Sequence, residues 1–142
     1  MATSRQPRAA STRRPVKQTD DYGHLQPQAP ELEEAVLGAL MIERDAYSLV
    51  SEILKPESFY EHRHQLIYQA IQTLAISQKP IDILTVQEQL RTMGSLDEVG
   101  GAVHIAQLAG KVNSSAHIEY HARIIAQKFL ARELITYTSE IQ

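Results

Sequence analysis

The side chains best placed to do chemistry in this chain are its six histidines. His117 and His121 stand four residues apart in a stretch of helical periodicity, the separation that sets two imidazoles on one helix face as zinc ligands. A metalloprotease pattern would place Glu directly after the first His, but Ile118 stands there and Glu119 follows one residue later. A surface or interface pair fits better than a metal site. His62 and His64 read as polar residues at the start of a helix, and His104 as a partly buried side chain with a backbone partner. Phosphate chemistry finds no support either. A Walker-type loop needs G-x-x-x-x-G-K-[ST] so that backbone amides can wrap phosphate and a hydroxyl can hold magnesium. The nearest stretch, Ile105 to Val112, keeps Gly110-Lys111 but has Ile at the first position and Val at the last. Gly100-Gly101 follows no strand and lacks the third glycine of a dinucleotide loop. No carboxylate pair or Ser/His/Asp set can be assigned to a concave site, and Glu residues dispersed on helical faces normally mark solvated surface. The expectation is a chain without catalytic, cofactor-binding or metal-binding residues.

The elements that would carry these residues belong to one modest domain: 142 residues, 43% of them apolar, suffice for a single hydrophobic core. The absence of cysteine excludes disulfides, thiolate zinc sites and cysteine nucleophiles. No apolar run approaches the roughly 20 residues that span a bilayer, and the first residues lack a secretory signal, so a reducing cytoplasm is the compartment that fits. The net charge of −3 is unevenly spread. Residues 1–29 carry Arg5, Arg8, Arg13, Arg14 and Lys17 against Asp20 and Asp21, or +3, which leaves −6 on the rest. An acidic body is a poor partner for polyanions, because phosphate neutralisation supplies most non-specific nucleic-acid affinity.

Residues 1–29 are too polar to offset the entropy of ordering and read as a disordered basic leader. Pro30 then suits the first position of a helix whose Glu31, Glu33 and Glu34 favour the positive end of its dipole. Leu32, Ala35, Val36, Ala39 and Leu40 give it one apolar face. A second helix is expected from Ala46 to Leu54, capped by Asp45, burying Leu49, Val50 and Ile53, and stopped by Pro56. A third spans Glu61 to Ser77 on Leu66, Ile67, Ala70, Ile71 and Leu74. Ile81 to Leu84 could form a strand by composition but has no partner run. Thr85 to Glu88 resembles a capping box that opens a helix to Met93, closed by Gly94. Gly100-Gly101 opens a short helix from Gly101 to Ala109. Beyond the cap candidates Asn113, Ser114 and Ser115, neither Gly nor Pro interrupts the chain, so one helix of about 25 residues is expected. Its apolar positions surround more than one side. Ile118, Ala122, Ile125, Phe129 and Leu134 are the candidate protein-protein surface, because a helix of this kind needs more than one packing partner.

Taken in order, PELEEAVLGALMIERDAYSLVSEILKPESFY, EHRHQLIYQAIQTL, KPIDILTVQEQL, VGGAVHIAQLA and HIEYHARIIAQKFLARELI resemble the N-terminal domain of bacterial replicative DNA helicases of the DnaB type. The likeness covers residues 30–141. It rests on the E-x-x-V-L-G opening at Glu33 to Gly38, the Phe59-Tyr60 turn followed by His64, the P-x-D-x-x-T run at Pro80 to Thr85, and the Gly-Gly helix start.

The resemblance implies an all-α fold: a compact helical head over residues 30–112, followed at 113–142 by the first long helix of a helical hairpin whose return helix is absent. It implies a non-catalytic collar that pairs with other copies of the same helicase to organise a hexamer, and that docks primase. ATP and magnesium, like contact with DNA, would belong to an absent motor domain, at the replication fork in the bacterial cytoplasm, with no membrane partner. A small helical DNA-binding module using the basic leader is the alternative, and a bound metal at His117 and His121 would be required for any enzyme reading.

Overall fold

The computed structural model describes residues 26–111 and 115–141, with side chains as far as Thr138. Among the described residues six α-helices follow one another: α1 (Pro30–Ile42), α2 (Ala46–Val50), α3 (His62–Ile76), α4 (Ile83–Thr92), α5 (Gly101–Gly110) and α6 (Ile118–Ile141), with a 3-10 turn at Pro56–Ser58 between α2 and α3. No strand occurs among the described residues, so Ile81 to Leu84 is the lead-in and first turn of α4. The leader expected over 1–29 lies outside the described residues apart from its last four, and so do the cap candidates Asn113 and Ser114.

The first helix is the axle of the head and packs against each of the other five. That position explains a departure from the single face predicted for it. Val36, Leu37, Gly38, Ala39, Leu40 and Met41 are buried in unbroken succession, because neighbours cover α1 from several sides. The third helix keeps to expectation, with Glu61 and Ser77 flanking it and Ile67, Ala70, Ile71 and Leu74 buried. Tyr68, fully buried, donates its hydroxyl to the Leu54 carbonyl at 3.1 Å and stacks at a tilt on Phe59, with ring centroids 5.0 Å apart.

Three local expectations need correction. The second helix ends at Val50 and not at Leu54; Leu49 is exposed, whereas Val50 and Leu54 are buried. A helix of five residues has room for one short buried edge, and the chain turns before Ile53 could extend it. Asp45 gives α2 no side-chain cap; Ser48 Oγ instead donates back to the Asp45 carbonyl at 2.8 Å. At α4 the cap is Asp82, not Thr85. The Asp82 carboxylate accepts from the Thr85 amide at 2.8 Å while Thr85 Oγ1 accepts from the Asp82 amide at 2.8 Å. Thr85 therefore fills the reciprocal position of the box, and the cap stands three residues earlier than the spacing alone indicates.

The double glycine before α5 meets a requirement of shape. Gly100 has φ 108° and Gly101 φ 81°, and a Cβ on Gly100 would lie 2.9 Å from His104 Cβ. The backbone turns left-handed there, directly against the helix it introduces.

Candidate protein interface

Along α6 the predicted surface divides in two. Ile118, Ala122 and Ile125 are buried in the core, where the helix packs against α1 and α2. Their apolar area is already covered by their own chain, so they are core residues and not part of a free interface. Spacing fixed their common face correctly, but it could not distinguish a face covered from within from one covered by another molecule. Phe129 is half-buried, with Lys55 Nζ 5.9 Å from its ring centroid and the Arg132 guanidinium 5.8 Å away. Leu134 is 64% exposed. Leu130 and Tyr137, also largely exposed, stand one turn to either side of it at the spacing that aligns side chains on a helix face. The bare strip of this molecule is therefore Leu130, Leu134 and Tyr137, with Ile135 beside it.

Arg132 marks the border between the two halves. Its Nη1 donates to the Pro27 carbonyl at 2.7 Å and its Nη2 to the Ser58 carbonyl at 3.1 Å. The guanidinium also lies 5.2 Å from the centroid of the Tyr60 ring, within cation-π range. Sequence patterning does not single out this residue. Its position seven residues after Ile125 was the available signal, since that step returns to the head-facing side of the helix.

A second polar junction lies in the interior of the head. Glu33, on α1, has its side chain 1% exposed, and the side chain of His64 on α3 is fully buried. The Glu33 carboxylate accepts from His64 Nδ1 at 2.7 Å, from the Tyr60 amide at 2.6 Å and from the Glu61 amide at 3.4 Å. A carboxylate of one helix thus satisfies amides just ahead of another and complements the positive end of its dipole. His64 Nε2 is buried with no hydrogen-bond partner among the described residues, and Nδ1 is the ring nitrogen that meets the carboxylate. The expectation of two polar residues at a helix start places His64 correctly and misses its burial. The exposed His62 instead faces Glu98 at 3.3 Å.

Around this junction, Lys111 Nζ donates to Glu34 at 2.8 Å, and that hydrogen bond holds the Glu34 carboxyl below its ordinary range. Burial makes His104 less basic than a free imidazole, and its Nε2 has no hydrogen-bond partner among the described residues. His117 lies just ahead of α6, with its ring centroid 6.3 Å from that of His121. Among the described residues no three His, Asp or Glu side chains gather into a metal-sized group. None of these helices is long and apolar enough to cross a membrane.

Residues 25–127 match the DnaB-like helicase N-terminal domain, and the chain belongs to that family. It is similar to the replicative DNA helicase DnaB of Rhodothermus marinus, at 47% identity over 116 residues that cover 82% of this chain and 12% of that protein. The crystal structure of the N-terminal domain of DnaB helicase from Mycobacterium tuberculosis superposes with a TM-score of 0.79 at 35% identity, covering 82% of this chain and 81% of that one. A DnaB-like replicative helicase, described together with its interactions with primase, superposes with a TM-score of 0.71 at 26% identity, covering 80% of this chain and 27% of that one. The chain spans 12% to 26% of the length of the full helicases it matches.

Proposed function

We propose that this chain serves as the non-catalytic collar of a replicative DNA helicase, with residues 30–112 as its head and 113–142 as the projecting helix through which copies pair. In this reading the collar organises a hexamer and gives primase a place to dock, coupling unwinding to priming at the fork in the bacterial cytoplasm. ATP, magnesium and DNA contact belong to a motor domain; the collar contributes shape and surface. One observation carries the reading: Leu130, Leu134 and Tyr137 form an exposed apolar strip on a helix whose earlier turns are fixed in the core. The fold supports it, and so does the primase association described for the helicase that superposes at 26% identity.

The test is sedimentation of the chain over a concentration series, with and without Leu134→Glu. Concentration-dependent association that the charge abolishes agrees with pairing through the strip. A wild-type chain that stays monomeric at high concentration would remove the support for it.

A further inference from the structure

We propose that residues 26–29 act as a strap, closed by Arg132, that sets the direction in which the distal half of α6 leaves the head. The observation is the convergence of two distant segments on one guanidinium of a third. Arg132 donates to Pro27, 105 positions away in sequence, and to Ser58, 74 positions away. Its flat cation also lies against Tyr60 and Phe129. A guanidinium offers donors in a rigid fork, so two acceptors on different segments fix its plane and with it the helix that bears it.

The position of the clasp along α6 gives it leverage. Up to Ile125 the helix is held by buried side chains, and beyond Arg132 every described side chain is exposed. Arg132 is thus the last fixed point before the bare strip. Small rotations there become larger displacements at Tyr137. One of its two acceptors lies in the segment joining the basic leader to α1, so tension or occupancy on that leader can reach the projecting helix through a single backbone carbonyl. The consequence for pairing rests on the collar reading proposed above; the geometry of the clasp does not.

The chain contains no native cysteine, so two introduced cysteines suffice for spin labelling. A pair at the exposed positions Gln69 and Glu133 reads the distal helix against α3, and a pair at Gln69 and Tyr120 reads the proximal turns. Arg132→Ala, and separately deletion of residues 1–28, should shift and broaden the 69–133 distance distribution while leaving 69–120 unchanged. Adding the deletion to Arg132→Ala should change nothing further, since the deletion removes one acceptor of a guanidinium that is already gone, whereas the deletion alone, which leaves the Ser58 acceptor, should give the smaller shift. Arg132→Lys, which retains the charge but not the fork, should fall between wild type and Arg132→Ala. An unchanged 69–133 distribution in either opened form overturns the proposal. So does broadening accompanied by loss of helical circular dichroism, because the clasp would then preserve the helix and not aim it. If Leu134→Glu has no effect on association while the distances behave as expected, the collar reading fails and the strap stands.

Discussion

The two halves of α6 have similar apolar content and opposite fates. Ile118, Ala122 and Ile125 are at most 3% exposed, whereas Leu130, Leu134 and Tyr137 are all above 60%. Periodicity is a property of a helix alone, while burial is a property of the helix and everything placed beside it. The helix packs on α1, α2 and the 3-10 turn, and the buried side chains belong to its proximal half. One continuous secondary structure therefore joins a region whose stability is internal to the head to a region whose apolar surface is uncovered among the described residues.

This contrast can be broken or sharpened by substitution. The largest loss should follow Glu33→Ala, which leaves His64 and two amides without their buried acceptor; each buried polar group left unsatisfied costs about 1 to 3 kcal/mol. The thermal midpoint should fall equally at all protein concentrations, and a midpoint within a degree of wild type would show that the junction does not hold α3 to α1. Ile125→Ala should cost about 2 to 5 kcal/mol, again independently of concentration, because its cavity opens inside the chain. Phe129→Ala tests the border itself. Being half-buried, it should cost less than the roughly 3 to 5 kcal/mol of a fully buried Phe, with about 2 kcal/mol expected in chemical denaturation. Leu134→Glu should change unfolding by no more than about 0.5 kcal/mol and weaken self-association by roughly tenfold or more. A large loss of stability from Leu134→Glu, or a concentration-dependent loss from Ile125→Ala, would reverse the assignment of the halves.

The smallest effect is electrostatic. Lys111→Met removes both the donor and the charge that hold the Glu34 carboxyl below its ordinary value of 4.5. A carboxyl with a lowered folded-state pKa stabilises the fold above its unfolded-state value, and that contribution disappears as pH falls through the folded-state value. The wild type should therefore exceed the variant near pH 7, by less than about 1 kcal/mol because Lys111 is largely exposed, and the two should converge in acid. Divergence on acidification would contradict the pairing.

Much of the fold was legible because its signals are local. Pro30, Pro80, Gly94 and the Gly100-Gly101 pair punctuate the helices, and apolar spacing locates α3 and α6 to within a residue or two. The polar junctions were less legible, since their partners lie far apart in sequence. Glu33 passes as a favourable charge in a first helical turn and His64 as a polar helix start. Both stand in register with apolar neighbours, Glu33 with Val36, Leu37 and Leu40, and His64 with Ile67, Tyr68 and Ile71. A charged or polar side chain on an apolar face was the available hint that each had a buried partner. The family resemblance had marked the E-x-x-V-L-G opening and the histidine after Phe59-Tyr60 as separate motifs; in three dimensions they meet.

The Glu33 carboxylate also ties a local event to a distant one. The amides of Tyr60 and Glu61 lie in the irregular segment ahead of α3, where open backbone would ordinarily trade its hydrogens with solvent quickly. Here the acceptor comes from another helix, 27 and 28 positions earlier in the chain. Deuterium should therefore enter these two amides only when α1 lifts away from the turn. Their exchange rates serve as a native clock for the undocking of the central helix, and Glu33→Gln should make that clock run faster even where the overall fold survives.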